Sequence, residues 1–163
     1  MQEYVLVYAR LVGERNNSND ILIVEKMKPA WQKGKYNLVG GKVEPGESPI
    51  QAAIRELQEE AGMCPHVDCC EHMGTIVGSW GFVYCVKIPV WYKEPKPSPG
   101  EIEKVFWASW CKIKNSTLLM PNLRVIVPMM KAGMTGWLIA DEGPSWGSKS
   151  HTIAVTLDMP EGN

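Results

Sequence analysis

Three glutamates, Glu56, Glu59 and Glu60, stand at i, i+3 and i+4. On a helix that spacing makes them neighbours on one face. At about 6 Å and an effective dielectric of ~20, each like-charged pair costs roughly 3 kcal/mol. Arg55, four residues before Glu59, offsets part of that repulsion. One guanidinium does not neutralise three acids plus Glu47, whereas a hard divalent cation does, and all-oxygen ligands suit Mg2+ or Mn2+. Gly40 and Gly41 lack Cβ atoms, so backbone there can approach a metal or a phosphate closely, and a carbonyl from this stretch is a further candidate ligand. A metal on a diphosphate stabilises developing charge and activates water, and phosphoryl chemistry consists mostly of such positioning and neutralisation.

The elements that must hold these residues are legible on either side. Ser48 is placed as an N-cap, Pro49 occupies the first helical position, Gln51 completes a capping box, and Gly62 sits where a C-terminal glycine belongs. A helix over 49–61 follows. Its expected buried face is Ile50, Ala53, Ile54, Leu57 and Ala61, with the glutamates opposite and the small Ala52 leaving their face accessible. Residues 3–12, 20–26, 72–79, 82–92 and 103–110 alternate or cluster apolar side chains as strands do, and 37–43 is a short strand carrying the two glycines. Residues 13–20, 28–36, 94–100 and 141–150 have loop chemistry, 44–47 is a turn, 122–132 is a second amphipathic helix containing Pro128, and 151–157 alternates as a last strand. Strands interleaved with two helices predict an α/β fold, a mixed sheet covered on both faces.

Composition narrows the function classes. The 163 residues suit one domain, 1–163. A net charge of −1 argues against a broad basic face for duplex nucleic acid. No apolar run reaches the roughly 18 residues of a membrane span, and the N-terminus reads as a strand rather than a signal peptide. Five cysteines, an odd count, favour reduced thiols and a cytoplasmic setting. The spacing of Cys64, His66, Cys69, Cys70 and His72 matches no common zinc pattern.

A solvated helix face is the usual fate of a glutamate cluster, but the wider spacing is specific. Gly41, five residues, Glu47, seven residues, then Arg55-Glu56-Leu57-x-Glu59-Glu60-x-Gly62-Met63 resembles the Nudix box at every specified position. The resemblance extends over about residues 3–133, with Glu101-x-Glu103…Trp107 looking like the family's C-terminal half, while 133–163 is a C-terminal extension beyond it. Pro29-Ala30-Trp31-Gln32-x-Gly34-x-Tyr36-Asn37 looks like a subgroup of small bacterial or phage members. Val39 departs from the proline that often precedes the glycine pair.

What the resemblance implies is a Nudix-type α/β/α sandwich and hydrolysis of a nucleoside diphosphate linked to another group. Glu56, Glu59, Glu60 and the Gly40 carbonyl would hold Mg2+ or Mn2+. Arg55 would orient the glutamates, and Glu47 would bind that arginine or reach the metal shell. The general base is Glu59, Glu60 or, from outside the box, Glu101. Trp31 and Trp80 are candidates to stack on a base and Lys42 to touch phosphate. Markers of the ADP-ribose, dinucleoside polyphosphate and NADH subfamilies are mostly absent, which favours a nucleoside triphosphate giving the monophosphate and pyrophosphate. ADP-ribose or another nucleotide-sugar or dinucleotide stands close behind, and an RNA 5′ end or a non-catalytic nucleotide sensor remain alternatives. The sequence permits a homodimer without requiring one.

Overall fold

The computed structural model describes residues 1–12, 20–91 and 94–141, and the backbone of 153–157. The readings of 13–19 and 142–150 as loops lie outside the described residues. The strands are β1 (Gln2–Val12), β2 (Asp20–Glu25), β3 (Tyr36–Asn37), β4 (Glu71–Gly78), β5 (Gly81–Trp91), β6 (Lys104–Ser109), β7 (Trp137–Asp141) and β8 (Ile153–Leu157). They form one mixed sheet in the order β3-β2-β1-β5-β4-β7-β8, with β6 on β2. β1 and β5 run parallel over eleven residue pairs, Gln2 opposite Gly81 through Val12 opposite Trp91.

The period-two alternation of β1 sends Leu6 and Tyr8 to one face and Val5, Val7 and Ala9 to the other. The first face packs on α3 (Leu123–Lys131) through Leu123, Ile126, Val127 and Met130. The second packs on α1 (Pro49–Ala61) through Ala52, Ala53, Leu57 and Ala61. Two helices on opposite faces of a mixed sheet make the α/β/α sandwich expected above. Pro128 sits inside α3 without ending it.

α1 begins and ends where its sequence signals lie. Ser48 Oγ accepts from Gln51 N, Gln51 Oε1 accepts from Ser48 N, and Gly62 closes the helix in the left-handed region at φ 66°. Its buried face is turned from the expected one. Ala52 is fully buried and Ile50 and Ile54 only half so. Ala52 belongs to the cluster holding Val39 and Val43, which flank the glycine pair. Its small side chain therefore serves close packing rather than access.

Three further elements differ from expectation. The glycine stretch is no continuous strand: only Val39 and Lys42 bridge to β1, at Val7 and Tyr4. A four-residue helix, α2 (Trp110–Ile113), follows β6. Within the extension, β7 is the unexpected strand and pairs parallel with β4, while β8, the expected last strand, pairs antiparallel with β7, so both continue the same sheet.

Candidate functional site

The glycine pair is set against β1 by Val5 N donating to the Gly41 carbonyl (2.9 Å) and Val7 N to that of Val39 (2.8 Å). A Cβ on Gly40 would lie 2.1 Å from the Val5 carbonyl oxygen, whereas one on Gly41 would lie 2.1 Å from Glu56 Oε1. The first neighbour is fixed backbone and the second is the end of a side chain. Gly40→Ala is therefore expected to destabilise the protein by roughly 2–4 kcal/mol in urea unfolding. Gly41→Ala should keep most of that stability and lose turnover instead, because it displaces a carboxylate. Equal stability loss in both variants would contradict this division.

α1 carries its acids beside this stretch, where a cavity of about 530 Å3 is lined by Gly40, Gly41, Lys42, Glu56, Glu59, Glu60, Glu101 and Glu103 among others. Behind the acids, Arg55 donates to both Glu47 oxygens (2.8 and 3.0 Å), to Glu56 Oε1 (2.8 Å), to Glu59 Oε2 (3.4 Å) and to the Lys42 carbonyl (2.8 Å). Glu47 thus binds the arginine and does not line the cavity. The hydrogen bonds from Arg55 hold the Glu47 carboxyl below its ordinary range, and the same bonds raise the guanidinium's own pKa.

Glu60 is the most enclosed of the box acids at 5% exposure. Gly40 N donates to its Oε2 (3.3 Å), and Lys26 Nζ stands 3.8 Å from its Oε1. Burial nevertheless pushes its carboxyl up to about 8, with Lys26 opposing. Burial raises Glu56 too, against the pull of Arg55. Lys26 is anchored in turn by Glu103 (3.0 Å), a buried acid that also accepts from Met27 N. Sequence reasoning gave neither Lys26 nor Glu103 a role. The signal available was a lysine at the end of an apolar strand, and an acid inside the segment that already carried Glu101.

Glu101 reaches the cavity on the proline-rich loop, which is tied to the end of α1. Lys96 N donates to the Ala61 carbonyl (2.9 Å), Ser98 N to that of Glu59 (2.8 Å), and Glu101 N to that of Ser98 (3.0 Å). The Lys96 carbonyl comes so near Gly62 that a Cβ there would lie 2.3 Å from it. Glu101 has no side-chain partner among the described residues, whereas Glu56 and Glu59 share Arg55, and Glu60 and Glu103 share Lys26.

The two tryptophans are placed elsewhere. Trp31 is 48% exposed on a single 3-10 turn, Ala30–Gln32, and its neighbour Gln32 is the residue that turns into the cavity. Trp80 packs against the α3-side core and covers Gly78. Neither of these two candidates for stacking on a base is among the residues that line the cavity. A helix-scale period says which way a residue points on a long element, and both tryptophans sit on short turns where it does not apply.

The donor chemistry suits a hard cation. Five carboxylates line the cavity against Lys26, Lys28 and Lys42, and Glu60 is buried with its charge only partly balanced. Among the described residues no three His, Cys, Asp or Glu side chains form a closed ligand set. Instead four of the five, Glu56, Glu59, Glu60 and Glu103, are drawn onto Arg55 and Lys26.

This sandwich, with its glutamate-bearing helix laid against a double-glycine stretch, is the architecture of a Nudix protein. A family model for the NUDIX domain matches residues 6–129, and the chain belongs to that family. Over 51 residues it is 47% identical to the 8-oxo-dGTP diphosphatase of Escherichia coli (strain K12), covering 31% of this chain and 40% of that protein. Over 43 residues it is 46% identical to the CTP pyrophosphohydrolase of the same strain, covering 26% and 32%. The chain thus matches less than half the length of these curated relatives. In structure it resembles a MutT protein from Bacillus halodurans (TM-score 0.65, 17% identity, 97% of this chain and 98% of that one). The NUDIX domain of Shewanella oneidensis NrtR, complexed with ADP ribose, is similar at TM-score 0.66 and 17% identity, over 81% and 88%. No helix among the described residues is long and apolar enough to cross a membrane.

Proposed function

We propose that the chain is a divalent-metal-dependent pyrophosphohydrolase of nucleoside triphosphates, working in the cytoplasm and releasing a nucleoside monophosphate and pyrophosphate. The observation that carries this reading is the meeting of Glu56, Glu59 and Glu60 with the glycine pair and Glu101 in one cavity. Two relatives that match part of the chain are by name an 8-oxo-dGTP diphosphatase and a CTP pyrophosphohydrolase, which supports a nucleoside triphosphate as substrate.

Glu56, Glu59, Glu60 and the Gly40 carbonyl are the groups that would hold Mg2+ or Mn2+. Bound there, the cation would supply positive charge against the oxygens of the diphosphate. The chain's own residues do the rest. Arg55 fixes the rotamers of Glu56 and Glu59 from behind, with Glu47 as its second anchor. Lys26, held by Glu103, presents an ammonium at the cavity wall, and Lys42 at the rim adds another. Glu101 is assigned as general base because its carboxylate is free of ion pairs among the described residues and reaches the cavity from outside the crowded helix. Water oxygen bonds to phosphorus, the anhydride P–O bond breaks with its electron pair leaving on pyrophosphate, and the water proton passes to Glu101.

The test is product release from a panel of ordinary and oxidised nucleoside triphosphates, ADP-ribose, NADH, dinucleoside polyphosphates and triphosphorylated RNA, with Mg2+ or Mn2+ and with a chelator. Pyrophosphate release from triphosphates, abolished by the chelator, is the expected result. Turnover confined to another class would reassign the substrate, and tight binding without turnover of any would make the protein a sensor.

A further inference from the structure

The acids of α1 make up only part of the cavity lining. Another part has different chemistry. Leu6, Leu38 and Val83, all at 3% exposure or less, also line the cavity, as do two buried amides, Gln32 at 7% and Asn37 at 4%. Buried amides are ordinarily hydrogen-bonded, since each unmatched donor or acceptor is costly. Asn37 is partly matched, its Oδ1 accepting from Leu38 N (2.9 Å). Gln32 is not. Its backbone is bonded within the 3-10 turn, Gln32 N to the Pro29 carbonyl and Lys35 N to the Gln32 carbonyl. Its side chain has no protein partner among the described residues, and its amide atoms are not sealed in the core but stay open to the cavity. The Gln32 side chain, on a residue more than nine-tenths buried, thus offers an adjacent donor and acceptor to a cavity that Leu6, Leu38 and Val83 also line.

We infer that Gln32 is the specificity-determining residue of the substrate site, pairing through both atoms of its amide with the edge of the nucleobase. This deepens, and rests on, the nucleotide reading above. The chemistry of the wall selects the ligand class. A flat heterocycle lays its faces on aliphatic side chains and offers its edge to an amide. A sugar would carry hydroxyls on most sides and strand them against Leu6, Leu38 and Val83. A side-chain amide matches an edge where a donor lies beside an acceptor, as on adenine, guanine and cytosine. The pairing is separate from the chemistry, because Gln32 touches neither Arg55 nor any of the box acids in the hydrogen-bond pattern.

The experiment compares wild type with Gln32→Leu, a change of similar volume that replaces the cavity-facing amide with an apolar group and so keeps the fold. The substrates are ATP, GTP and CTP against purine riboside triphosphate, whose base offers acceptors without an exocyclic donor or carbonyl. Wild type should prefer at least one of the three natural bases over purine riboside by on the order of tenfold to a hundredfold in kcat/KM. In Gln32→Leu that ratio should collapse towards one, through KM. An unchanged ratio in the variant, or no preference in wild type, overturns the inference. Calorimetric binding of AMP, GMP and CMP to both proteins provides a readout without hydrolysis. If no triphosphate is turned over, the enzymatic reading fails, and a tenfold weakening confined to Gln32→Leu would still uphold base recognition. Equal binding by both proteins would reject it.

Discussion

Replacing Glu56 or Glu60 with glutamine is expected to lower turnover by at least about a hundredfold while leaving a folded protein. The magnitude follows from comparison. Removing a group that only orients a metal ligand typically costs 10- to 100-fold, so removing a proposed ligand should cost no less. Glutamine keeps the shape and one oxygen but loses the charge. Glu60 has the most to lose, since its enclosed carboxylate (5% exposed) faces the cavity beside Gly40 N. Glu59→Gln belongs to the same series, although its half-exposed side chain and long 3.4 Å contact to Arg55 hold it more loosely. Steady-state kinetics across a metal titration check the series. A direct ligand should raise the metal concentration needed for half-maximal rate, whereas Glu101→Gln should lower kcat with that concentration unchanged. Wild-type rates in both Glu56→Gln and Glu60→Gln would remove the metal site from these residues.

How much of this was legible without coordinates varies with the kind of signal. α1 was read to the residue because its limits are written locally: Ser48, Pro49 and Gln51 at one end and Gly62 at the other. A mixed sheet covered on both faces follows from strands interleaved with two helices, and the Nudix-type sandwich from the family resemblance. The rotation of α1 was not legible. The 3.6-residue period marks an apolar stripe but cannot weigh Ala52 against Ile50, and the close approach of the glycine stretch decides that in favour of the alanine. β7 went unread because five residues with one outward leucine form a weak pattern on their own, and only pairing with β4 makes them a strand. The site divides in the same way. Acids within the box were legible as a fixed spacing along one chain segment. Lys26, Glu103 and Gln32 come to the cavity from three separate segments, and their meeting is a property of the sheet order. Aromatic residues are what the sequence offers as stacking partners, yet the buried position falls to Gln32 beside Trp31.

The pH dependence of stability should carry the signature of Glu60. Its carboxyl titrates at about 8 in the folded protein against an ordinary value of 4.5. Below pH 4.5 both folded and unfolded chains hold the proton, and the residue's contribution is at its most favourable. Between 4.5 and 8 the unfolded chain releases the proton while the folded chain retains it, so stability falls as pH rises, by up to about 1.4 kcal/mol per pH unit. Glu56, also raised by burial, adds a slope of the same sign. Glu47, lowered by Arg55, contributes in the opposite sense, its stabilisation disappearing as pH falls through its depressed folded value. The chelated protein should therefore melt highest near pH 5 and lose on the order of 10 °C by pH 8. Glu60→Gln should flatten most of that decline, because glutamine has no charge to bury. Added Mg2+ should stabilise the protein more at pH 8 than at pH 5, since a cation competes with the proton for the same oxygens. At pH 7 its binding should release a proton, seen by calorimetry as a heat that varies with the buffer's ionisation enthalpy. A melting temperature that stays level or rises from pH 5 to 8 in the chelated wild type would show that Glu60 is ionised in the fold. Lys26 would then be its full counter-ion, and the carboxylate would be charged before any metal arrives.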